Sequence, residues 1–295
     1  MNTATHNGRA QRAPSYYSAT LNDLTEYPQL HGTVQVDVAI IGGGFTGVAT
    51  AVELAERGLK VAIIETHRIG WGASGRNGGQ VTGSLSGDEA MRKQMGKHLG
   101  AEVDDFIWHL RWRGHQIIEQ RVQRYGIACD LKRGHLHTAM KPSHMDELRS
   151  FQAEAERRGM GDQLQLLDRN GVAEHLQSPL YQGALKNLRN LHLHPLNYAL
   201  GLAQAARAAG AQLFEHSTVS GYRREGDAIT LHLEFDRTVF PGDIHHYEVE
   251  VEVAEEDTDR AGRAMRKLLD DTGVQQKSAA GKAKRFFKAL RGEPI

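Results

Sequence analysis

Between Val36 and Glu65 the chain reads VDVAIIGGGFTGVATAVELAERGLKVAIIE, and its apolar positions change period twice. Val36 with Val38 to Ile41, and later Val61 to Ile64, are short unbroken apolar runs, the pattern of parallel strands covered on both faces. Between them Val48, Ala51, Val52 and Ala55 recur at helical spacing, and Gly58 stands where such a helix would stop. The periods predict one βαβ unit. A glycine-rich loop, RIGWGASGRNGGQ, follows it. A long helix is then expected from about Gly100 to Tyr125, with Phe106, Leu110, Ile117 and Val122 as its apolar positions. GHLHTAM reads as a strand. SHMDELRSFQAEAERRG, residues 143–159, opens on a serine with an acid three residues on, a capping box for another helix. HPLNYALGLAQAARAAGAQLFEHSTV repeats the order helix, glycine, strand, with Pro195 suited to a first helical turn.

After Ser220 the pattern changes. GDAITLHLEF and HYEVEVEV alternate with period two, as antiparallel strands with one polar face do, and Asp257 to Thr272 reads as an amphipathic helix on Ala261, Met265, Leu268 and Leu269. There is no internal repeat and no low-complexity linker, so a boundary near residue 230 rests on this change alone. The expected architecture is α/β. A Rossmann-like βαβ unit with a partial antiparallel sheet spans residues 1–230, and a small α+β segment of antiparallel strands and a helix spans 231–295.

Composition narrows the class. A chain of 295 residues, 40% hydrophobic, can bury a sizeable core. The polar first thirty residues hold no signal-like apolar run, and no stretch reaches bilayer-spanning length, so a cytoplasmic setting without membrane contact is expected. The single cysteine, Cys129, fits a reducing compartment and reads as a buried, inert thiol. The formal net charge of zero hides an acidic stretch from Glu234 to Asp259 and a basic one from Lys277 to Arg291, and carries no signature of a nucleic-acid partner.

Gly42, Gly44 and Gly47 satisfy G-x-G-x-x-G between a predicted strand and a predicted helix, and Glu65 ends the next strand at the expected distance. Gly42 permits the tight turn, Gly44 the approach of a pyrophosphate, and Gly47 close packing of helix on strand. The helix N-terminus offers free N–H donors to phosphates. A carboxylate at Glu65 accepts ribose hydroxyls and repels a 2′-phosphate, which leaves FAD or NAD as the ligand. The second glycine loop, ASGRNGG, is more than an NAD domain needs.

From about Ser15 to about Leu231 the chain resembles the N-terminal half of the FAD-dependent amine and amino-acid oxidases of the D-amino-acid oxidase type, in particular the γ-glutamylputrescine oxidase branch. SYYSAT, DVAIIGGGFTG, ETHRIGWGASGRNGGQ and LHPLNYALGLAQAA carry the resemblance. It implies that Gly42, Gly43, Gly44, Phe45 and Thr46, with Gly47 behind them, hold the pyrophosphate, and that Glu65 with Thr66 holds the ribose. It also implies that Ala73, Ser74, Arg76, Asn77, Gly78 and Gly79 run beside the ribityl chain and isoalloxazine, and that Val219 offers backbone groups to adenine. The chemistry implied is hydride transfer from a carbon bearing an amine to flavin N5, with oxygen as reoxidant and a polyamine derivative as substrate. No catalytic base can be named. His135, His137, His192 and His194 form two H-x-H pairs, each on one expected strand face; without a third ligand of recognisable spacing, a core or surface role is the reading ahead of metal.

In that family the chain continues well beyond this length to complete the substrate sheet. Beyond Leu231, LEFDRTVFPGDIHHYEVEVEV and the closing KAKRFF instead resemble the C-terminal part of the CYTH or triphosphate-tunnel metalloenzymes. That resemblance implies an alternative function, metal-dependent triphosphate binding or hydrolysis, with Glu248, Glu250 and Glu252 on Mg²⁺ or Mn²⁺ and Lys282 or Lys284 on phosphate. The opening E-x-E-x-K strand of that family is missing, so a solvated strand face is the bland reading of the ladder. A third reading is a fused or truncated product without activity, needing a partner chain to complete either site. Its unburied apolar surface would then favour poor solubility or oligomer formation.

Overall fold

The structure is a computed structural model that describes residues 12–83, 88–225 and 228–234. Ser15 caps a short helix, α1 (Tyr16–Ala19), through a reciprocal capping box with Ser18, and an extended strap then leads into β1 (Val38–Ile41). The predicted βαβ unit follows as β1, α2 (Phe45–Glu56) and β2 (Val61–Ile64). Next come β3 (Gln80–Val81), α3 (Asp88–Leu99), α4 (Val103–Tyr125), β4 (Lys132–Ala139), α5 (Pro142–Arg157), β5 (Leu164–Asp168) and α6 (Arg169–Ala173). The described chain closes with β6 (Gly183–His192), α7 (Pro195–Ala208), β7 (Gln212–Phe214), β8 (Thr218–Glu225) and β9 (Ala228–Glu234). Among the described residues no helix is long and apolar enough to cross a membrane.

Strands β1, β2 and β7 form a parallel sheet in that order, with Val38 opposite Val61 and Ile64 opposite Phe214. All four β2 residues are buried because the strand is covered twice. Val61 and Ile63 point into a cluster with Val48, Val52 and Leu200 from α2 and α7, while Ala62 and Ile64 meet Leu231 and Leu233 of β9 on the opposite face. Each branched side chain buried this way stabilises the fold by about 1.5–3 kcal/mol. The double cover is thinner on β1: Val38 and Ile40 pack on the first cluster and Ala39 on the second, but of its four residues only Val38 is buried. β1 is an outer strand whose second edge has no partner among the described residues, and Ile41 is 61% exposed.

The second sheet is antiparallel and is built on β6, which β4 flanks along one side while β3 and β5 share the other. Trp108 and Trp112 of α4 and Met145 and Leu148 of α5 pack together with Leu164 and Leu185 of this sheet. Strand β9 lies in the GDAITLHLEF run that the period-two pattern predicts, and its antiparallel partner is β8, which that pattern does not include.

Two local expectations are corrected. The first cap of α5 is Lys141 rather than Ser143, and no side chain bonds it, because Pro142 fits the first helical position and moves the start upstream. The buried face of α4 is Val103, Ile107, Trp108, Trp112 and His115; Phe106, Leu110, Ile117 and Val122 are only partly buried. The two tryptophans carry the most apolar area on the helix and set which face turns inward. The HYEVEVEV strand and the helix expected after it lie outside the described residues.

Candidate functional site

The first glycine turn has the geometry its spacing predicts. Gly42 adopts φ +101°, a conformation favouring glycine, and its N–H donates to the Ile64 carbonyl at 2.8 Å. A Cβ on Gly47 would lie 2.0 Å from the Gly42 carbonyl oxygen, so helix α2 can approach its own turn only with glycine there. The side-chain position of Gly42 faces open space. Thr46 is exposed in the first helical turn, where N–H groups lack intrahelical acceptors.

The second glycine loop packs directly on this turn. Ser74 Oγ accepts the Phe45 N–H at 2.9 Å and so caps α2 from another part of the chain, since Gly44 has no side chain to do it. Gly70 N–H donates to the Gly43 carbonyl at 2.9 Å. Ala73–Gly75 is a single tight turn. Asn77 then binds the carbonyls of Ala73 and Ser74 through Nδ2 and accepts the Gly79 N–H at 2.8 Å. Gly78 is exposed, and Gly79 (φ +69°) lies so close to Leu193 that a Cβ would fall 2.0 Å from that residue's carbonyl oxygen. Arg76 is exposed and sits 4.9 Å over the Trp71 ring.

Glu65 joins the two loops. Its Oε2 accepts the Gly43 N–H at 2.6 Å and its Oε1 accepts the His67 N–H at 2.8 Å. A carboxylate has about four lone-pair sites, so two remain for the hydroxyls of a ligand. Thr66 beside it is exposed. Its backbone is fixed by Glu65 N–H to the Phe214 carbonyl and by Ser217 N–H to the Glu65 carbonyl, both at 2.9 Å. The second bond sets the start of β8 alongside, two residues before Val219, which pairs with Leu233 and packs on the parallel sheet.

An apolar cavity of about 310 Å³ adjoins the loops, lined by Phe45, Ala49, Val81, Ile117, Ile118, Tyr198 and Leu202, with Asn77, Gln80 and Arg121 supplying polar groups. Arg121 pairs with Glu53 at 2.7 Å, linking α4 to α2.

Sequence reasoning missed Glu215. It is fully buried, and accepts N–H groups from Ile69 at 2.7 Å and Tyr27 at 3.2 Å and Nε of Arg68 at 3.3 Å. Burial pushes its carboxyl above the usual range, while these donors and the nearby Arg12 pull the other way. Arg12 is itself held down at about 10, by burial first and then by Arg68. Ile69 in turn packs against Gly43, where a Cβ would lie 2.4 Å from Ile69 Cδ1. Glu215 therefore holds the loop that backs the glycine turn. Its partners lie 146 to 188 residues away, so no local motif could have found it.

The histidine pairs separate. His192 ends β6, whereas His194 has left the strand and caps α7: its Nδ1 accepts the Asn197 N–H at 3.1 Å and its Nε2 lies 3.0 Å from Thr20 Oγ1. The expected shared strand face of this pair is thus corrected, because Pro195 starts a helix one residue on. His135 and His137 stay on β4 with ring centroids 6.4 Å apart. Cys129 is buried and its thiol is pushed up to about 11 by that burial. The acidic ladder Glu248, Glu250 and Glu252 and the lysines Lys282 and Lys284 lie outside the described residues.

Comparison with known proteins adds to this geometry. Residues 37–251 match the family described as FAD dependent oxidoreductase. The chain is 38% identical over 205 residues to a probable oxidoreductase, OrdL, of Haemophilus influenzae, covering 70% of this chain and 47% of the relative. It is 36% identical over 219 residues to the gamma-glutamylputrescine oxidoreductase of Escherichia coli strain K12, covering 74% and 50%. The solved structure of glycine oxidase from Geobacillus kaustophilus superposes with a TM-score of 0.52 at 27% identity, over 68% of this chain and 52% of that one. The chain thus spans about half the length of the relatives it matches.

Proposed function

The chain belongs to the family of FAD dependent oxidoreductases, and on that premise we propose that its two glycine loops hold FAD and that it oxidises an amine by passing a hydride to the flavin. The observation that carries the reading is the meeting of both loops at the start of α2, with Glu65 beside them keeping two acceptor sites unused. These residues fit the cofactor. The open face of Gly42 leaves room for a pyrophosphate against the helix N-terminus, whose N–H groups favour negative charge.

In this reading Gly42 to Gly47 hold the pyrophosphate, and Glu65 with Thr66 the ribose hydroxyls. Ala73, Ser74 and Arg76 to Gly79 flank the flavin end, and the backbone at Val219 meets adenine. When bound, the flavin supplies the hydride acceptor. The chain's task is to fix its orientation, and the Ser74 cap and the Asn77 turn do this by locking the second loop onto the first. The substrate class is an amine, a polyamine derivative such as γ-glutamylputrescine, on the strength of the relative named for that compound. Oxygen is the proposed electron acceptor and the cytoplasm the proposed setting.

We place the flavin-holding unit within residues 1–230, where these contacts lie. The family match runs on to residue 251, across Glu248 and Glu250, and no observation favours a metal or triphosphate role for them.

Purified full-length chain should be yellow, or become so with added FAD, and should bleach without oxygen when γ-glutamylputrescine is added. A colourless protein that FAD cannot reconstitute overturns the reading. Retained FAD that no amine bleaches overturns the oxidation and leaves the binding.

A further inference from the structure

The two loops are connected by one more feature that the cofactor contacts do not require. His67, two residues after Glu65, stacks on Trp71 with ring centroids 4.1 Å apart and planes tilted by 35°. The same indole holds the guanidinium of Arg76 at 4.9 Å, while Arg76 Nε donates to the Gly72 carbonyl at 3.2 Å. A continuous row of three rings and planes therefore runs from the ribose-binding end of the site to the second glycine loop. Arg76 is exposed, and an exposed arginine ordinarily samples many rotamers; here the indole face and a backbone carbonyl confine it.

We infer that Trp71 is a positioning residue that fixes the charge of Arg76 beside the flavin end of the site and thereby raises the reduction potential of the bound flavin. This rests on the FAD reading above. Accepting a hydride brings two electrons and one proton onto the ring system, and the substrate carbon loses the same, so the reduced flavin gains a net negative charge. A guanidinium held nearby stabilises that charge more than it stabilises the neutral oxidised ring. A freely moving guanidinium spends less time in position and is better screened by water. Phenylalanine offers a weaker cation–π face than tryptophan, so it should hold Arg76 less firmly.

The test is a dye-equilibrium titration of the reduction potential in the FAD-loaded full-length chain. Arg76→Ala and Trp71→Ala should each shift the potential to more negative values, Trp71→Phe should fall between them and the parent, and the double variant should shift no further than Arg76→Ala alone. Arg76→Lys, which keeps charge but not the planar stack, should retain part of the effect. Should Trp71→Ala lose its flavin, the comparison rests on Trp71→Phe and Arg76→Lys. A parent potential in Trp71→Phe and Arg76→Ala, with only the melting temperature lowered, overturns the inference and makes the stack a loop stabiliser. Failure of the parent chain to bind FAD overturns the underlying reading instead, and absorbance separates the two outcomes before any titration.

Discussion

Glu65 Oε2 accepts the backbone N–H of Gly43 at 2.6 Å, across 22 residues of sequence. One carboxylate thus fixes the glycine turn, and in the proposed reading its remaining lone pairs meet the FAD ribose. Replacing it with glutamine keeps one acceptor, brings an NH₂ toward the Gly43 donor and removes the charge. Hydrogen bonds to charged groups contribute about 1.5–3 kcal/mol. Glu65→Gln should therefore weaken FAD about tenfold or more, read by flavin fluorescence titration; equal affinity would remove Glu65 from the ribose site.

The glycines of the turn differ from those elsewhere in what surrounds them. A methyl on Gly47 meets the Gly42 carbonyl, and the backbone cannot move aside without opening the turn. Gly47→Ala should cost about 3 kcal/mol. Gly114, on α4, has nothing within 4 Å of its Cβ position, so Gly114→Ala should stabilise by about 0.5–1 kcal/mol through helix propensity. Denaturant melts of the two variants should move in opposite directions.

His194 makes stability depend on pH. Its Nδ1 caps α7 as an acceptor, so protonation there breaks the cap, and burial lowers its pKa in the fold below the unfolded value near 6.5. The unfolded chain then binds the proton more readily. The contribution is present above about pH 6.5 and is lost as pH falls below it. His115 and His135 are lowered by burial too and add in the same direction. The melting temperature should fall from pH 7 to pH 5, and His194→Asn, which keeps a capping acceptor, should flatten part of that slope. An unchanged slope would count against the cap as the source.

Cys129 should be silent in the folded protein. Burial pushes its thiol up to about 11, so little thiolate exists at pH 8 and little of it is reachable. A thiol reagent should label nothing under native conditions and one equivalent after denaturation. Stoichiometric native labelling would show that the pocket around it opens.

The parts of the site that were legible in the sequence are those whose physics is local. Val61 to Ile64 announced a covered strand because both faces are apolar, and Gly42 to Gly47 announced a turn because only glycine satisfies it. The family resemblance implies a place for Ser74 near the flavin, yet its bond to Phe45 N–H, which fastens one loop to the other, has no signature in spacing. Glu215 carries no local signature, since all its donors come from distant chain. The spacing of His192 and His194 predicts alternate positions on one strand, but Pro195 turns the backbone into a helix before that alternation can hold. The double cover expected for β1 is present but thinner than its apolar run suggests, because β1 is an outer strand of its sheet.

Glu215 also constrains the order in which the molecule can be made. Its carboxylate receives Tyr27 N–H, its own N–H binds the Pro28 carbonyl at 3.1 Å, and Ser217 Oγ accepts Leu30 N–H at 3.0 Å, across 187 and 188 residues. The N-terminal strap cannot dock until residues 215–217 have been synthesised. At about 5–20 residues per second that is a wait of about 10 to 40 s on the ribosome. Until then the βαβ unit stands without its docked strap, and the loop that backs the glycine turn lacks the carboxylate that holds it.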